Sequence, residues 1–110
     1  MTVINPKTFA IGDPNVVAEG DTAFLMKVGT TTGGPYTVSS AAVQISSLTL
    51  NGTVYTGQWA SLAFSPALSP FTTYFVVAEA QNAQGVSGGS PEASFSIATA
   101  PVAPTSLTLA

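Results

Sequence analysis

The stretch Leu68-Ser69-Pro70-Phe71-Thr72-Thr73-Tyr74-Phe75-Val76-Val77-Ala78-Glu79-Ala80-Gln81-Asn82-Ala83-Gln84-Gly85 reads, in order, as a tight corner, a long buried strand and a turn. Tyr74, Val76, Ala78 and Ala80 recur at every second position, the period that lines one face of a strand. Pro66 and Pro70 bracket the corner, each fixing φ and removing a backbone donor. Asn82 and Gly85 bring turn chemistry at the far end. The strand is predicted over 73–80. With Tyr74 in the core, Phe75 and Val77 point to the opposite face, where two large apolar groups form a candidate protein-contact patch.

Outside this stretch no window of eleven or more residues has helical spacing, and Gly and Pro recur too often for helices. Residues 22–28 place Phe24, Met26 and Val28 on one face with Lys27 outward. Gly33-Gly34-Pro35 interrupts pairing before Tyr36 and Val38. Val43, Ile45, Leu48 and Leu50 continue through one or two short strands. Asn51-Gly52 then signals a type I′ hairpin joining 48–50 to 53–56, because both residues tolerate positive φ. The triplet Asn51-Gly52-Thr53 also fits an N-glycosylation acceptor, but the turn accounts for the same residues. Residues 59–64 read as a strand with Leu62 and Phe64 inward, 82–91 as a Gly/Ser turn, and 95–99 as the closing strand. About seven short strands at this spacing predict an all-β fold, a Greek-key sandwich of two sheets. The sandwich spans 8–99, between an N-terminal arm, 1–7, and a Pro-containing C-terminal arm, 100–110.

The pattern Leu68-x-Pro70-x-Thr72-Thr73-Tyr74-x-Val76-x-Ala78-x-Ala80-x-Asn82-x-x-Gly85 resembles the E–F corner and F strand of fibronectin type III domains. It is similar also to bacterial immunoglobulin-like domains that share this corner. The resemblance implies a tyrosine corner: the Tyr74 ring packs in the core while its hydroxyl ties back to the backbone upstream, with Leu68 and Pro70 shaping the bend. It further implies an F–G turn at Asn82 and Gly85 and a closing G strand at 95–99. The chain departs from fibronectin type III in its tryptophan. Phe24 or Met26 stands where an early Trp is expected, and the only Trp, Trp59, comes late. No active site comes with the resemblance. Domains of this kind are spacers, adhesive modules, sugar-binding accessories and decorations on phage heads, tails and fibres, and fold alone does not choose among them.

Composition narrows the field. The 110 residues include no Cys and no His. Disulfides and thiolate chemistry are therefore excluded, and the commonest general base and metal ligand is missing. With no acid/base or nucleophile–base pair, the chain is expected not to be an enzyme and to hold no cofactor or metal. Only 6% of residues are charged, against roughly 25% in average soluble proteins. Lys7 and Lys27 are too few to neutralise a run of phosphates or to hold an anionic membrane, so neither nucleic acid nor membrane is an expected partner. A small-molecule ligand is not expected either. The polar surface is built from Ser, Thr, Asn, Gln and Gly, which hydrogen-bond but repel copies of themselves only weakly. No stretch reaches the ~18 apolar residues of a membrane helix, and the N-terminus lacks the basic-then-apolar order of a signal peptide. An initiator Met, no cysteine and an extracellular-like composition together lead to the expectation of a virion component assembled in the cytoplasm.

Asp13, Glu19 and Asp21 offer three hard oxygens, fewer than the six to eight that calcium gathers, so solvated carboxylates are expected there. Trp59, Tyr55 and Tyr36 are candidate glycan contacts. The ends carry an assembly signal. Pro101 and Pro104 bias the C-terminal arm toward extended chain with little entropy left to lose. Ser106-Leu107-Thr108-Leu109 has strand composition and repeats Ser47-Leu48-Thr49-Leu50. Together these residues look like the linker and first strand of another such domain. Val3 and Ile4, before Pro6, could serve similarly. A strand without its own sheet frays, returns to its own domain's edge or pairs with a neighbour's. Val3, Ile4, Leu107 and Leu109 thus join Phe75 and Val77 as candidate protein contacts. The expected function is a non-enzymatic phage virion accessory protein, first a capsid decoration subunit and otherwise a tail or fibre one. It would sit on the virion surface against other virion proteins and copies of itself. The alternative is an extracellular adhesive or carbohydrate-binding module from a longer chain.

Overall fold

The computed structural model describes residues 3–98 and 104–109. Among these residues the strands are β1 (Val3–Ile4), β2 (Thr8–Gly12), β3 (Ala23–Gly29), β4 (Val38–Ser40), β5 (Val43–Gln44), β6 (Thr49–Asn51), β7 (Val54–Gln58), β8 (Phe64–Ser65), β9 (Thr72–Asn82), β10 (Gly85–Val86) and β11 (Ala93–Ile97). They form two open sheets. The larger runs β1-β11-β9-β3-β4-β8, with β10 on β9 and β5 on β3; the smaller runs β2-β7-β6. The chain is an all-β sandwich. Among the described residues no helix is long and apolar enough to cross a membrane.

The strand legible in the sequence is the spine of the larger sheet and extends at both ends of its predicted span. It pairs antiparallel with β3 from Gly29↔Phe75 to Ala23↔Gln81, and with β11 from Ile97↔Thr72 to Ala93↔Val76. Period two operates as expected on β3, where Phe24, Met26 and Val28 are buried, and holds also on β2, where Phe9 and Ile11 are buried. Val28 is fully covered, and each such side chain contributes about 1.5–3 kcal/mol by leaving water. The rings tie the sheets together. Phe24 of β3 meets Tyr55 of β7 edge-on at 5.7 Å. Trp59 touches Phe95 at 4.8 Å and Phe64 at 5.5 Å, joining the two halves of the core. Ser40, a buried polar residue, is satisfied because its Oγ accepts from the Met26 N–H at 2.9 Å.

Four local expectations are corrected. The hairpin loop is Gly52-Thr53, since Asn51 still pairs with Val54, and positive φ occurs at Gly52 alone. A loop with glycine first follows the type II′ pattern rather than type I′. Residues 59–64 are not one strand: Trp59–Ser61 is a 3₁₀ turn before the two-residue β8, although Leu62 is buried as expected. A helix, α1 (Val16–Glu19), is present; four residues are too few to show in an eleven-residue window, and Val16 alone anchors it to the core. Val3 and Ile4 pair in parallel with Phe95 and Ser96, so these N-terminal residues return to their own sheet and are no free arm. Residues 1–2 of the expected N-terminal arm, Thr99 of the expected closing strand, and residues 100–103 and 110 of the expected C-terminal arm lie outside the described residues.

Candidate interaction surface

The corner is built as a tie. The Ser69 N–H donates to the Tyr74 hydroxyl at 2.7 Å, and the buried Tyr74 ring stacks on Phe95 at 5.4 Å. Leu68 packs against the same group. Holding Ser69 down forces the next bend outward. Phe71 adopts a left-handed φ of 57°, which bulky residues rarely take, and its ring is 81% exposed. The Phe71 N–H donates to the Ile97 carbonyl at 2.6 Å, so this ring stands where β11 ends. Ile4, 65% exposed, pairs with Ser96 at the same end. Leu107 and Leu109 are 85% and 86% exposed, and every described residue from 104 to 109 is exposed. The radius of gyration is 16.7 Å, against about 13 Å for a compact domain of this length. Phe71 and Ile4 thus leave apolar groups in water at one end of the sandwich, and Leu107 and Leu109 leave two more on the C-terminal segment.

The outer face of β9 is a different matter. Phe75 is half-buried, but Val77 is buried and is no contact residue. Alternation turned Val77 away from the core correctly; the chain then covered it. Past Val76, where β11 stops pairing, two serines take over the edge. Ser90 donates its N–H to the Ala78 carbonyl at 2.8 Å and accepts the Ala78 N–H on its Oγ at 2.9 Å. Ser87 makes the same pair of bonds with Ala80, both at 2.8 Å. Gly89 between them lies on Val77 so closely that a Cβ there would stand 3.0 Å from Val77 Cγ2.

The candidate glycan platform is dispersed. Tyr55 is buried against Phe24, and Trp59 is half-buried between Phe64 and Phe95, so neither ring offers a face to a sugar. Tyr36 is half-buried and donates its hydroxyl to Glu92 Oε2, which also accepts the Gly33 N–H at 2.8 Å. That bond holds the Tyr36 pKa above its ordinary value.

The structure does bring Asp13, Glu19 and Asp21 together. One oxygen from each lies within 4.8 Å of the others. Asp13 Oδ1 accepts the Asn15 N–H at 3.0 Å ahead of α1, and the left-handed Gly20 turns the chain so that Asp21 N–H reaches the Val16 carbonyl at 2.9 Å. The Glu19 pKa is raised, first by a hydrogen bond to Asp21, then by the like charges and slight burial. The cluster's three oxygens fall short of a calcium shell.

Phe71 was missed by sequence reasoning. Its exposure follows from the tie two residues earlier, and no local pattern signals it. No family model, curated protein or solved structure matches the chain.

Proposed function

We propose that this protein is a non-enzymatic accessory subunit of a bacteriophage virion, a decoration subunit of the capsid that docks by its exposed end. The observation that carries the reading is the set of apolar groups left in water, Phe71 and Ile4 at that end and Leu107 and Leu109 on the C-terminal segment. A chain with 6% charged residues cannot select partners mainly by charge, so apolar area and backbone pairing are the means left to it. The tyrosine corner supports the immunoglobulin-like or fibronectin type III-like assignment, whose domains supply rigid knobs. Fold analogy alone does not fix the partner. The carbohydrate-binding alternative loses its platform with Tyr55 and Trp59 packed away. The test is mass spectrometry and electron microscopy of purified particles of the encoding phage. Symmetric density for this chain on the head supports the reading, with Phe71→Ser and deletion of 104–110 each reducing occupancy. Absence from particles, or occupancy indifferent to both changes, overturns it.

A further inference from the structure

The open edge of β2 receives the C-terminal arm of a second copy of this chain, we propose. The inference rests on the reading above that the ends make assembly contacts, and it names the partner and the register. β2 is the longest edge strand among the described residues, bonded only to β7. Trp59 N–H donates to the Lys7 carbonyl and Asp13 N–H to the Thr53 carbonyl, both at 2.9 Å, which sets the odd-numbered residues as those bonded to β7. Thr8, Ala10 and Gly12 therefore aim their N–H and C=O groups outward, and all three are exposed. No inward charge, proline or bulge blunts this edge, the usual protections of a bare strand.

Beside the edge the two sheets part. A cleft of about 280 Å³ lies between β2 and β11, floored by Phe9, Ile11, Met26, Trp59, Val76 and Phe95. It continues past Ile11 to Gly12 and the Ser87 to Ser90 segment for about 160 Å³ more. The groove thus accompanies β2 along its length. An added strand needs apolar side chains at every second position toward the cleft and free backbone groups between them.

Residues 106–109 have that form. Set antiparallel, Ser106 faces Gly12 and Thr108 faces Ala10, each exchanging two backbone hydrogen bonds at the outward positions. Leu107 then faces Ile11 and Leu109 faces Phe9, at the closer, non-bonded positions where side chains approach most. The arm carries no charge to desolvate. As extended chain, residues 104–109 expose about 900 Å². Burying about half of that, with a like area of groove, in both directions of an exchange covers about 1,800 Å², within the range of stable interfaces.

A chain's own arm fits poorly. The Ala98 N–H donates to Asn5 Oδ1 at 2.9 Å, so the arm leaves at the end where β2 begins. β11 runs opposite to β2, with Trp59 beside Phe95 and Ile11 level with Ala78. An arm that continues β11 therefore heads away from this edge, and one that doubled back would lie parallel to β2, out of the register above. Pro101 and Pro104 resist the reversal needed to bring it back.

The chain has no cysteine, which makes crosslinking clean. Ala10 and Thr108 would sit about 5.5 Å apart between Cα atoms, within disulfide reach. Purified Ala10→Cys and Thr108→Cys proteins, mixed and mildly oxidised, should give the 10–108 heterodimer in roughly tenfold excess over a Thr49→Cys and Thr108→Cys mixture, in which the cysteine lies on the other edge strand. Sedimentation of the unaltered protein should show self-association that Leu107→Asp/Leu109→Asp abolishes with the urea midpoint unchanged. A 10–108 yield no greater than the Thr49 control, or association indifferent to the two Asp substitutions, overturns the inference. Both assays use pure protein. Failure here with the protein present on virions sinks the inference alone; exchange without any virion sinks the functional reading alone.

Discussion

Removing one oxygen tests the corner on which the fold turns. Tyr74→Phe keeps the ring, its stack on Phe95 at 5.4 Å and its burial, but deletes the hydroxyl that accepts the Ser69 N–H at 2.7 Å. A net intramolecular hydrogen bond is worth about 0.5–1.5 kcal/mol. Ser69 is exposed, so its freed N–H can find water, and the cost should lie near the middle of that range, about 1 kcal/mol. Tyr74→Ala removes the ring as well and should cost about 3–5 kcal/mol, as large aromatic deletions in cores do. Urea unfolding followed by Trp59 fluorescence measures both. Tyr74→Phe should lower the midpoint at constant m-value, since the surface exposed on unfolding is unchanged, and lower Tm by about 4 °C. Amide exchange at Ser69 should speed up in the same variant. A Tyr74→Phe protein as stable as the unaltered one, with Ser69 exchange unchanged, refutes the view that this bond holds the corner. A loss as large as Tyr74→Ala would refute it too, by showing that the hydroxyl supports more than one bond.

Other perturbations separate covered from exposed groups. Val77→Ala should cost about 2 kcal/mol from lost methyl burial and an unfilled space under Gly89; a neutral result in urea would mean that the 87–90 segment does not stay closed. Phe71→Gly should raise the unfolding free energy by about 1 kcal/mol, read as a higher urea midpoint, because a left-handed φ is free of steric cost only for glycine and the ring is largely exposed. Gly29→Ala should cost about 3 kcal/mol, since its Cβ would collide with the Pro35 carbonyl oxygen, whereas Gly12→Ala meets nothing within 4 Å and should be close to neutral. The raised Glu19 pKa means that the folded state binds more protons than the unfolded one between the ordinary glutamate range and the raised value. Stability from this group is full below that range and is lost as pH rises through the folded pKa. Glu19→Gln should flatten this slope in urea midpoints taken from about pH 4 to 7, and an unchanged slope would exclude the cluster as its source.

Much of the fold was legible because one face of each long strand is committed to the core. Tyr74 through Ala80 and Phe24 through Val28 announce themselves by period two, and burial enforces that period. What escaped notice depends on contacts that period two does not encode, some distant in sequence and some only a few residues apart. Val77 obeys alternation and still ends up covered, because Ser87 and Ser90 happen to lie where β11 gives out. Trp59 looked like an available ring and became the bridge between two core clusters. The hairpin slipped by one residue because Asn51 prefers a ladder partner in Val54 to the turn position its type favours. Phe71 is exposed because a bond at Ser69 leaves the next bend no inward path. Strand identity is local information; exposure is not.

The sheet edges make the same point in terms of assembly. Nature usually protects a bare edge with charge, a device nearly closed to a chain with two lysines. This chain covers the Ala78 and Ala80 edge with two serines that imitate a strand, and covers β11 with β1. Those closures use its own residues. β2 receives neither treatment. It keeps outward backbone groups at Thr8, Ala10 and Gly12 beside an apolar cleft, while Leu107 and Leu109 stand in water at the spacing that cleft would take. Both features would be liabilities in a solitary domain, where each invites aggregation. Brought together in one register they satisfy each other, and the low charge that makes the edge hard to defend also lets two copies approach without repulsion.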